Sequence, residues 1–178
     1  MIDQGQCEKQ IRWVAAALHE EDEFRQRAEA AANALGPTSI ETLAQLFLAD
    51  SRPPPELADS FPGLGDWIAA RQFAIFEIFY HFRHAALPVL RRVAFGPYDW
   101  TQGNAIEILC RLAAEGIDRE QTLAELKSEM PSMRDTALLY AAGPLLRQAN
   151  KNQPLAAIIE ELREVFEFNE AVEDLQSA

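Results

Sequence analysis

The 178-residue sequence has few cysteines and an excess of acidic over basic residues. Its two cysteines, Cys7 and Cys110, are too few for the disulfide framework of a small secreted domain. No run of about 18 uncharged apolar residues occurs, so we expect no membrane span. The 16 Lys and Arg against 28 Asp and Glu give a net charge of −12. This charge opposes binding to nucleic acid or to an anionic membrane, because both need basic groups on the protein.

The amino terminus lacks the features of a secretory signal. Its apolar run, Trp13 to Leu18, is short, and acidic residues from Glu20 to Glu23 follow it where a cleavage site needs small neutral residues. We therefore expect a cytoplasmic protein with reduced thiols. Cys110 lies on an apolar helical face and is expected in the core, whereas Cys7 falls in a terminus that we expect to fray.

Residues that favour helices dominate the chain. Ala, Leu, Glu, Gln and Arg are abundant, and all five are good helix formers. Sustained alternation of polar and apolar residues is missing, as are Asn-Gly and Asp-Gly hairpin turns. The apolar fraction of 48% is that of an ordinary globular protein. The sequence therefore predicts one all-α domain over residues 1–178.

Changes in composition divide this domain into four segments. Residues 1–50 are expected to form an N-terminal helical cap. Residues 51–65 are expected to form a Pro-rich loop, because the triplet Pro53–Pro55 favours an extended polyproline conformation. Residues 66–168 are expected to hold six helices in long and short pairs. Residues 169–178 are expected to form an acidic tail.

Local signals place the helix boundaries. The first helical region runs from about Cys7 to Leu35, as one helix or as two that meet near Glu20 to Glu23, and Gly36-Pro37 stops it. The next helix is expected to reach about Ala49. Pro144 predicts a kink inside a later helix, because proline donates no backbone hydrogen bond. The last helix is expected to end near Phe168. Expected N-terminal caps are Thr38, in a capping box with Glu41 before a helix that starts at Ser39, and Asp66, Asp99 and Asp118.

The helix pairs of residues 66–168 carry an internal repeat. Phe76–Phe82 aligns with Ile106–Leu112 thirty residues further on, and Ala137–Ala141 is a weaker echo of Ala105–Leu109. Repeated helix pairs of this length resemble HEAT and armadillo repeats, which stack into α-solenoids. The resemblance implies a short superhelix of three helix pairs capped by the N-terminal helices. An antiparallel helical bundle uses the same short loops and is the alternative fold.

Glu77, His81 and His84 are the best candidates for a metal site. Their spacing of four and three residues predicts one helix face, and a carboxylate with two imidazoles can bind zinc or iron. Glu77 recurs as Glu107 in the repeat, where no histidine follows, which indicates a structural role. We therefore expect no metal and no cofactor. A metal-dependent helical enzyme that uses these three residues is the alternative function.

The segment 98–104 joins aromatic, carboxylate and amide groups at an expected turn between helices. Tyr and Trp at such turns often become hot spots of protein interfaces. A structural interpretation is also available, in which Trp100 packs on the first helical turn and Asp99 caps the helix. Gly103 is a poor choice for a first turn, so we expect a close backbone contact or a side-chain hydrogen bond there. The candidates for partner binding are Tyr98, Asp99, Trp100 and Asn104.

The expected function is a non-enzymatic protein–protein interaction module. Acidic helical proteins of this size resemble the immunity partners of toxins, which implies an acidic inhibitor of a basic partner. The charge lies mainly at the ends, with nine acidic and four basic residues in 1–50 and seven and two in 151–178. We therefore expect the N- and C-terminal helices to form the acidic surface. A DNA-repair role, which some HEAT-like proteins have, is opposed by the net charge.

Overall fold

The computed structural model describes residues 3–47 and 52–177, and all regular secondary structure within these ranges is helical. This confirms the all-α prediction. The chain divides into two compact units, Met1–Val89 and Leu90–Ala178, and the division falls inside the short helix α5 (Leu87–Ala94). Within the described ranges, no helix combines the length and the hydropathy that a membrane span requires.

Unit 1 is built around one long helix. Its helices are α1 (Gln4–Ala15), α2 (Glu21–Leu35), α3 (Ile40–Gln45) and α4 (Leu64–Phe82), with 3-10 turns at Pro37–Ser39, Pro55–Leu57 and Arg83–Ala86. The first helical region is therefore two helices. The second begins with three acidic residues, Glu21 to Glu23, which suit the positive end of a helix dipole.

Helices α1, α2 and α3 pack on α4 through an aromatic core. Trp67 is buried at the start of α4, and its ring centroid lies 5.6 Å from that of Phe61. Phe76 is buried further along and stacks on Phe47 at 4.9 Å. Phe73 is 41% exposed, so α4 is buried on most sides but not all round.

Two of the expected caps in unit 1 are arranged differently. Thr38 does not cap the next helix, because it lies inside the 3-10 turn Pro37–Ser39 and α3 begins only at Ile40. The hydroxyl of Ser39 donates back to the carbonyl of Gly36, at 2.7 Å. Asp66 lies in the first turn of α4, which begins at Leu64, and accepts a hydrogen bond from the Gly63 N–H at 3.1 Å. The expected end of the α3 helix, near Ala49, lies outside the described residues.

Unit 2 has a different central helix. After the end of α5 it contains α6 (Gln102–Ala114), α7 (Arg119–Glu129), α8 (Asp135–Ala149), α9 (Gln153–Leu162) and α10 (Phe166–Ser177), with a 3-10 turn at Met130–Ser132. Helix α6 contacts α7, α8 and α9, and it is buried along nearly its whole length. Helix α8 also contacts α9 and α10. This packing is compatible with a helical repeat-like fold.

The carboxyl-terminal part of unit 2 differs from the expected helix and tail. Helix α9 ends at Leu162, earlier than the expected end near Phe168. Most of residues 169–178, expected as an acidic tail, belong to α10, which packs on α8. Phe168, Ala171 and Val172 are buried at helical spacing. Four acidic residues lie among these positions, so the buried apolar face of α10 is hard to recognise in the sequence.

The two central helices share a glutamine thirty residues apart. In unit 1, Gln72 is fully buried and its amide donates to the carbonyl of Phe47, at 3.2 Å. In unit 2, Gln102 is buried and its amide donates to the carbonyl of Ala94, at 2.6 Å. Each amide thus satisfies a carbonyl near the end of a preceding helix, where helical hydrogen bonds run out. This match extends the internal repeat of the sequence by four residues.

Candidate protein-binding surface

The metal candidates Glu77, His81 and His84 do not share one helix face. Helix α4 ends at Phe82, and Arg83 adopts a left-handed φ of 55°, so the chain leaves the helix before the exposed His84. Glu77 and His81 remain one turn apart, with 4.0 Å between Oε1 and Nε2. Within the described ranges, no group of three or more His, Cys, Asp or Glu is arranged to hold a metal ion.

Glu107 of α6 has the same kind of partner as Glu77. Its Oε1 accepts hydrogen bonds from Arg111, at 3.4 Å, and from Gln148 of α8, at 2.6 Å. Both carboxylates are buried, and each is followed four residues later by a side chain that can carry a positive charge, His81 or Arg111. Because a buried carboxylate needs such partners, the pair is a structural feature of both central helices.

Neither cysteine is suited to nucleophilic chemistry. Cys7 and Cys110 are both fully buried. Burial raises the pKa of the Cys110 thiol, with a further contribution from the charge of Glu107. Burial also raises the pKa of the Cys7 thiol, so both thiols stay neutral. The expectation that Cys7 lies in a frayed terminus is wrong, because α1 places it in the core of unit 1.

The segment 98–104 forms the entry to α6. Asp99 accepts hydrogen bonds from the hydroxyl and from the backbone N–H of Thr101, the latter at 2.6 Å, and so closes a turn one residue before the helix. Asp99 therefore does not cap α6 itself. Trp100 is 39% exposed at this turn, whereas Asn104 is buried within α6. Of the four candidates, the aromatic ones are accessible and Asn104 is not.

Gly103 brings α6 and α8 close together. A Cβ atom at this position would lie 2.7 Å from the carbonyl oxygen of Ala137 and 2.5 Å from the Cβ of Tyr140. Both distances are too short for real side chains, so only glycine fits between the two helices. The close backbone contact expected at Gly103 is thereby confirmed. It also places Tyr140, which the sequence did not single out, beside the start of α6.

Three exposed aromatic residues belong to the two segments that meet at this contact, the turn before α6 and helix α8, and we call Tyr98, Trp100 and Tyr140 the aromatic strip. Tyr98 is 37% exposed and Tyr140 is 55% exposed. The hydroxyl of Thr136, one turn before Tyr140 on α8, donates to the Tyr98 hydroxyl at 3.0 Å. The guanidinium carbon of Arg134 lies 4.5 Å from the centroid of the Tyr98 ring, a cation–π contact. These contacts hold Tyr98 in one orientation.

Helix α8, which carries Tyr140, also forms one wall of a groove whose other wall is α10. We call it the acidic groove. It is lined by Asp135, Leu139, Glu167, Glu170, Ala171, Glu173 and Asp174. Every charged residue of this lining is acidic. For the residues that the structure describes, no Lys, Arg or His nitrogen forms an ion pair with these five carboxylates.

Helix α8 connects the two features. Asp135 of the groove lies between Arg134 and Thr136, which both contact Tyr98, and Leu139 of the groove precedes Tyr140. On α10, the helix that forms the other wall of the groove, Phe166 is the first residue and is 67% exposed. The sequence does not reveal this surface, because its residues come from segments about thirty residues apart that only packing brings together.

The acidic residues of the N-terminal helices are arranged differently. Glu8 pairs with Arg12 at 3.6 Å, Glu21 pairs with Arg25 at 2.7 Å, and Glu23 pairs with Arg27. Each pair spans one helical turn, which is the spacing that stabilises a helix. Part of the charge at the amino-terminal end is therefore compensated locally, whereas the five carboxylates of the acidic groove are not.

Comparisons with known proteins do not assign the chain to a family. The chain matches no protein-family model, and neither the curated proteins nor the solved structures give a significant match. Conclusions about function therefore rest on the geometry and the charge of the described residues.

Proposed function

We propose that the chain is a non-enzymatic protein-binding module whose unit 2 contacts the partner through the aromatic strip and the acidic groove. The observation that carries this proposal is the exposure of Tyr98 and Tyr140, which Thr136 of α8 connects, with Trp100 exposed two residues after Tyr98. Tyr and Trp give a large contact area for few rotatable bonds, and they are enriched among the residues that dominate binding energy.

The contacts around Tyr98 support a surface that is preorganised for binding. Its hydroxyl accepts a hydrogen bond from Thr136, and its ring lies against Arg134. The tight packing of Gly103 on Tyr140 fixes α8 against α6. A side chain that is already ordered loses little entropy when a partner binds, so more of the contact energy remains as affinity.

A HEAT-like arrangement of unit 2 fits this role. In the proposed array, α6 with α7 and α8 with α9 are successive pairs, and α10 is a further first helix. The contacts of α6 with α8 and of α8 with α10 correspond to stacked first helices, and the contact of α7 with α9 to stacked second helices. Such arrays present extended surfaces to proteins. The specific role we propose is an acidic, immunity-type inhibitor of a basic partner in the cytoplasm.

Photo-cross-linking captures a partner of any identity and therefore tests the proposal in cells. The photoreactive residue p-benzoylphenylalanine replaces Tyr140 in cells that produce the protein, and the same residue replaces Trp13 in unit 1 as the control. Trp13 is a suitable control because it is also a half-exposed aromatic residue, at 44%. The cross-linked protein is identified, purified and titrated against the wild-type chain and against Tyr140→Ala and Trp13→Ala.

We expect one predominant cross-linked protein at position 140 and none in common at position 13. Tyr140→Ala should weaken the affinity about tenfold or more, as is typical for an interface hot spot, whereas Trp13→Ala should leave it within about twofold. The proposal would be contradicted if both variants lost affinity equally, or if Tyr140→Ala left the affinity for the partner unchanged.

A further inference from the structure

We infer that the partner segment bound on this surface is rich in Lys and Arg, and that it lies along α10 with its cationic side chains in the acidic groove. Its apolar side chains then contact Phe166 and the aromatic strip. The inference rests on the proposed function and specifies the chemistry of the partner. It starts from exposed apolar side chains on the two helices that form the groove, Tyr140 of α8 at 55% and Phe166 of α10 at 67%.

Charge complementarity identifies the occupant of this apolar surface. The five carboxylates of the groove belong to Asp135, Glu167, Glu170, Glu173 and Asp174. Across the described part of the chain, none of them forms an ion pair with a basic side chain, and the amide of Asn169 donates to Glu173 at 2.8 Å. A partner with Lys and Arg at this position supplies the missing counter-charges, and an acidic or neutral partner does not.

Most of these carboxylates do not stabilise α10, although Glu167 lies in its first turn, where the dipole favours negative charge. Glu170 lies three residues after Glu167 and four before Asp174, the spacings at which like charges repel on a helix. Glu173 and Asp174 also lie near the carboxyl end of α10, where the helix dipole disfavours negative charge. Residues that oppose the stability of their own element mark functional positions.

The other acidic end of the chain does not offer the same site. On α1 and α2, Glu8, Glu21 and Glu23 each pair with an arginine one turn later. Near the groove, Glu161 and Glu164 are likewise paired with Lys127 of α7. Within the described ranges, Glu20, Asp22 and Glu29 also lack an ion pair, and what distinguishes the groove is that five such carboxylates line one depression.

Two apolar residues in the mostly acidic lining of the groove suit an amphipathic segment. Leu139 and Ala171 contribute apolar atoms between the carboxylates. Leu175 lies over α8, with its Cδ1 atom 3.9 Å from the position that a Cβ of Gly143 would take. A segment that carries both basic and apolar side chains satisfies both kinds of lining, as helices in grooves do.

A designed peptide tests this chemistry directly. The probe is a fluorescein-labelled helical peptide of about 14 residues, two heptads, made only of Lys and Leu, and the same pattern of Glu and Leu is the control peptide. Binding to the full chain is measured by fluorescence anisotropy at about 150 mM NaCl. The groove variant is Glu170→Lys/Asp174→Lys. The matched variant, Glu129→Lys/Glu160→Lys, reverses two exposed acids of unit 2 outside the groove and gives the same net charge.

We expect the groove variant to raise the Kd for the Lys peptide about tenfold or more, and the matched variant to change it by less than about twofold. If Glu170→Lys/Asp174→Lys does not fold, the neutral variant Glu170→Gln/Asp174→Asn replaces it with an expected increase of about threefold. Equal effects of the groove and matched variants, or equal binding of the Glu peptide, would overturn the inference.

Self-association is the competing use of this surface. Sedimentation equilibrium should show the same oligomeric state for the wild-type chain and for the groove variant. A dimer that dissociates in the groove variant would overturn the inference, because a second copy would then occupy the surface. If position 140 cross-links a partner but the groove variant binds the Lys peptide as tightly as the wild-type chain does, the inference fails and the proposed function stands. If the peptide needs the groove but no partner contacts Tyr140, the proposed function fails.

Discussion

Helix α4 of unit 1 and helix α6 of unit 2 are similar at their buried polar positions and different in their packing. Gln72 and Gln102 donate to backbone carbonyls, and Glu77 and Glu107 are each followed by a basic partner one turn later. The core around α4 is aromatic, whereas α6 meets α8 at a glycine. The repeated polar pattern is therefore compatible with two ways of filling the space around a central helix.

The surfaces of the two units differ more than their cores. At the start of α2, Glu21 and Glu23 pair with arginines and favour the helix dipole. Near the end of α10, Glu173 and Asp174 have no such partners in the described part of the chain and oppose the dipole. The paired charges of unit 1 thus stabilise their own helices, and the proposal assigns the charge in the groove of unit 2 to a partner.

The largest expected difference in the free energy of unfolding is between glycine substitutions in the two central helices. Gly103→Val should lower the free energy of unfolding by about 3 kcal/mol, because the new side chain overlaps the backbone of α8. Gly65→Ala in α4 should raise it by about 0.5 kcal/mol, since nothing lies within 4 Å of the added methyl group and alanine favours a helix. Urea denaturation followed by circular dichroism measures both.

This first comparison also has a clear opposite outcome. If Gly103→Val unfolds at the same urea concentration as the wild-type chain, α6 and α8 are not in the tight contact that places Tyr140 on the surface. The aromatic strip would then lack its structural basis, whatever the result at Gly65.

A smaller effect is expected at the paired glutamines. Gln102→Met should cost about 2 kcal/mol, because it leaves the carbonyl of Ala94 without its 2.6 Å donor. Gln72→Met should cost about 1 kcal/mol or less, since the variant also removes a buried Oε1 atom that has no hydrogen-bond partner. Thermal unfolding of the two variants sharpens the comparison, and a reversed order would contradict the equivalence of these positions.

The smallest effect concerns the surface charges and should differ in sign. Glu170→Gln/Asp174→Asn should stabilise the chain by about 0.5 kcal/mol, because it removes repulsion on α10. Glu21→Gln/Glu23→Gln should destabilise it by about 1 kcal/mol, because it removes two ion pairs and favourable dipole contacts. Both effects should fade in about 1 M NaCl, where charges are screened within a few ångströms. Urea denaturation at two salt concentrations measures them, and equal signs would break the comparison.

The sequence predicted the ends of helices well where a single residue determines where the helix stops. Gly36 ends α2 with a φ of 67°, and Gly116 follows α6 with a φ of 80°, conformations that glycine adopts without strain. Capping was harder to predict. Asp118 precedes α7 in a left-handed conformation, and its carboxylate accepts a hydrogen bond from Arg91, at 2.7 Å, instead of capping the helix. A distant side chain thus competes with the local backbone.

The candidate surface was predictable only in part. The turn at Tyr98 and Trp100 was visible because aromatic residues stand out in a polar segment. Tyr140 was not, since its exposure follows from the packing of α8 on Gly103. The groove was hidden for a similar reason, because α10 was expected as a tail and its carboxylates meet Asp135 only after α10 packs on α8.

The central claim is that the open charge between α8 and α10, and not the paired charge of α2, recruits a partner. The most direct test compares the affinity of the cross-linked partner for Glu170→Lys/Asp174→Lys and for Glu21→Lys/Glu23→Lys, two variants with the same net charge. We expect the first variant to bind about tenfold more weakly than the wild-type chain and the second to stay within about twofold. Equal affinities of the two variants would contradict the claim.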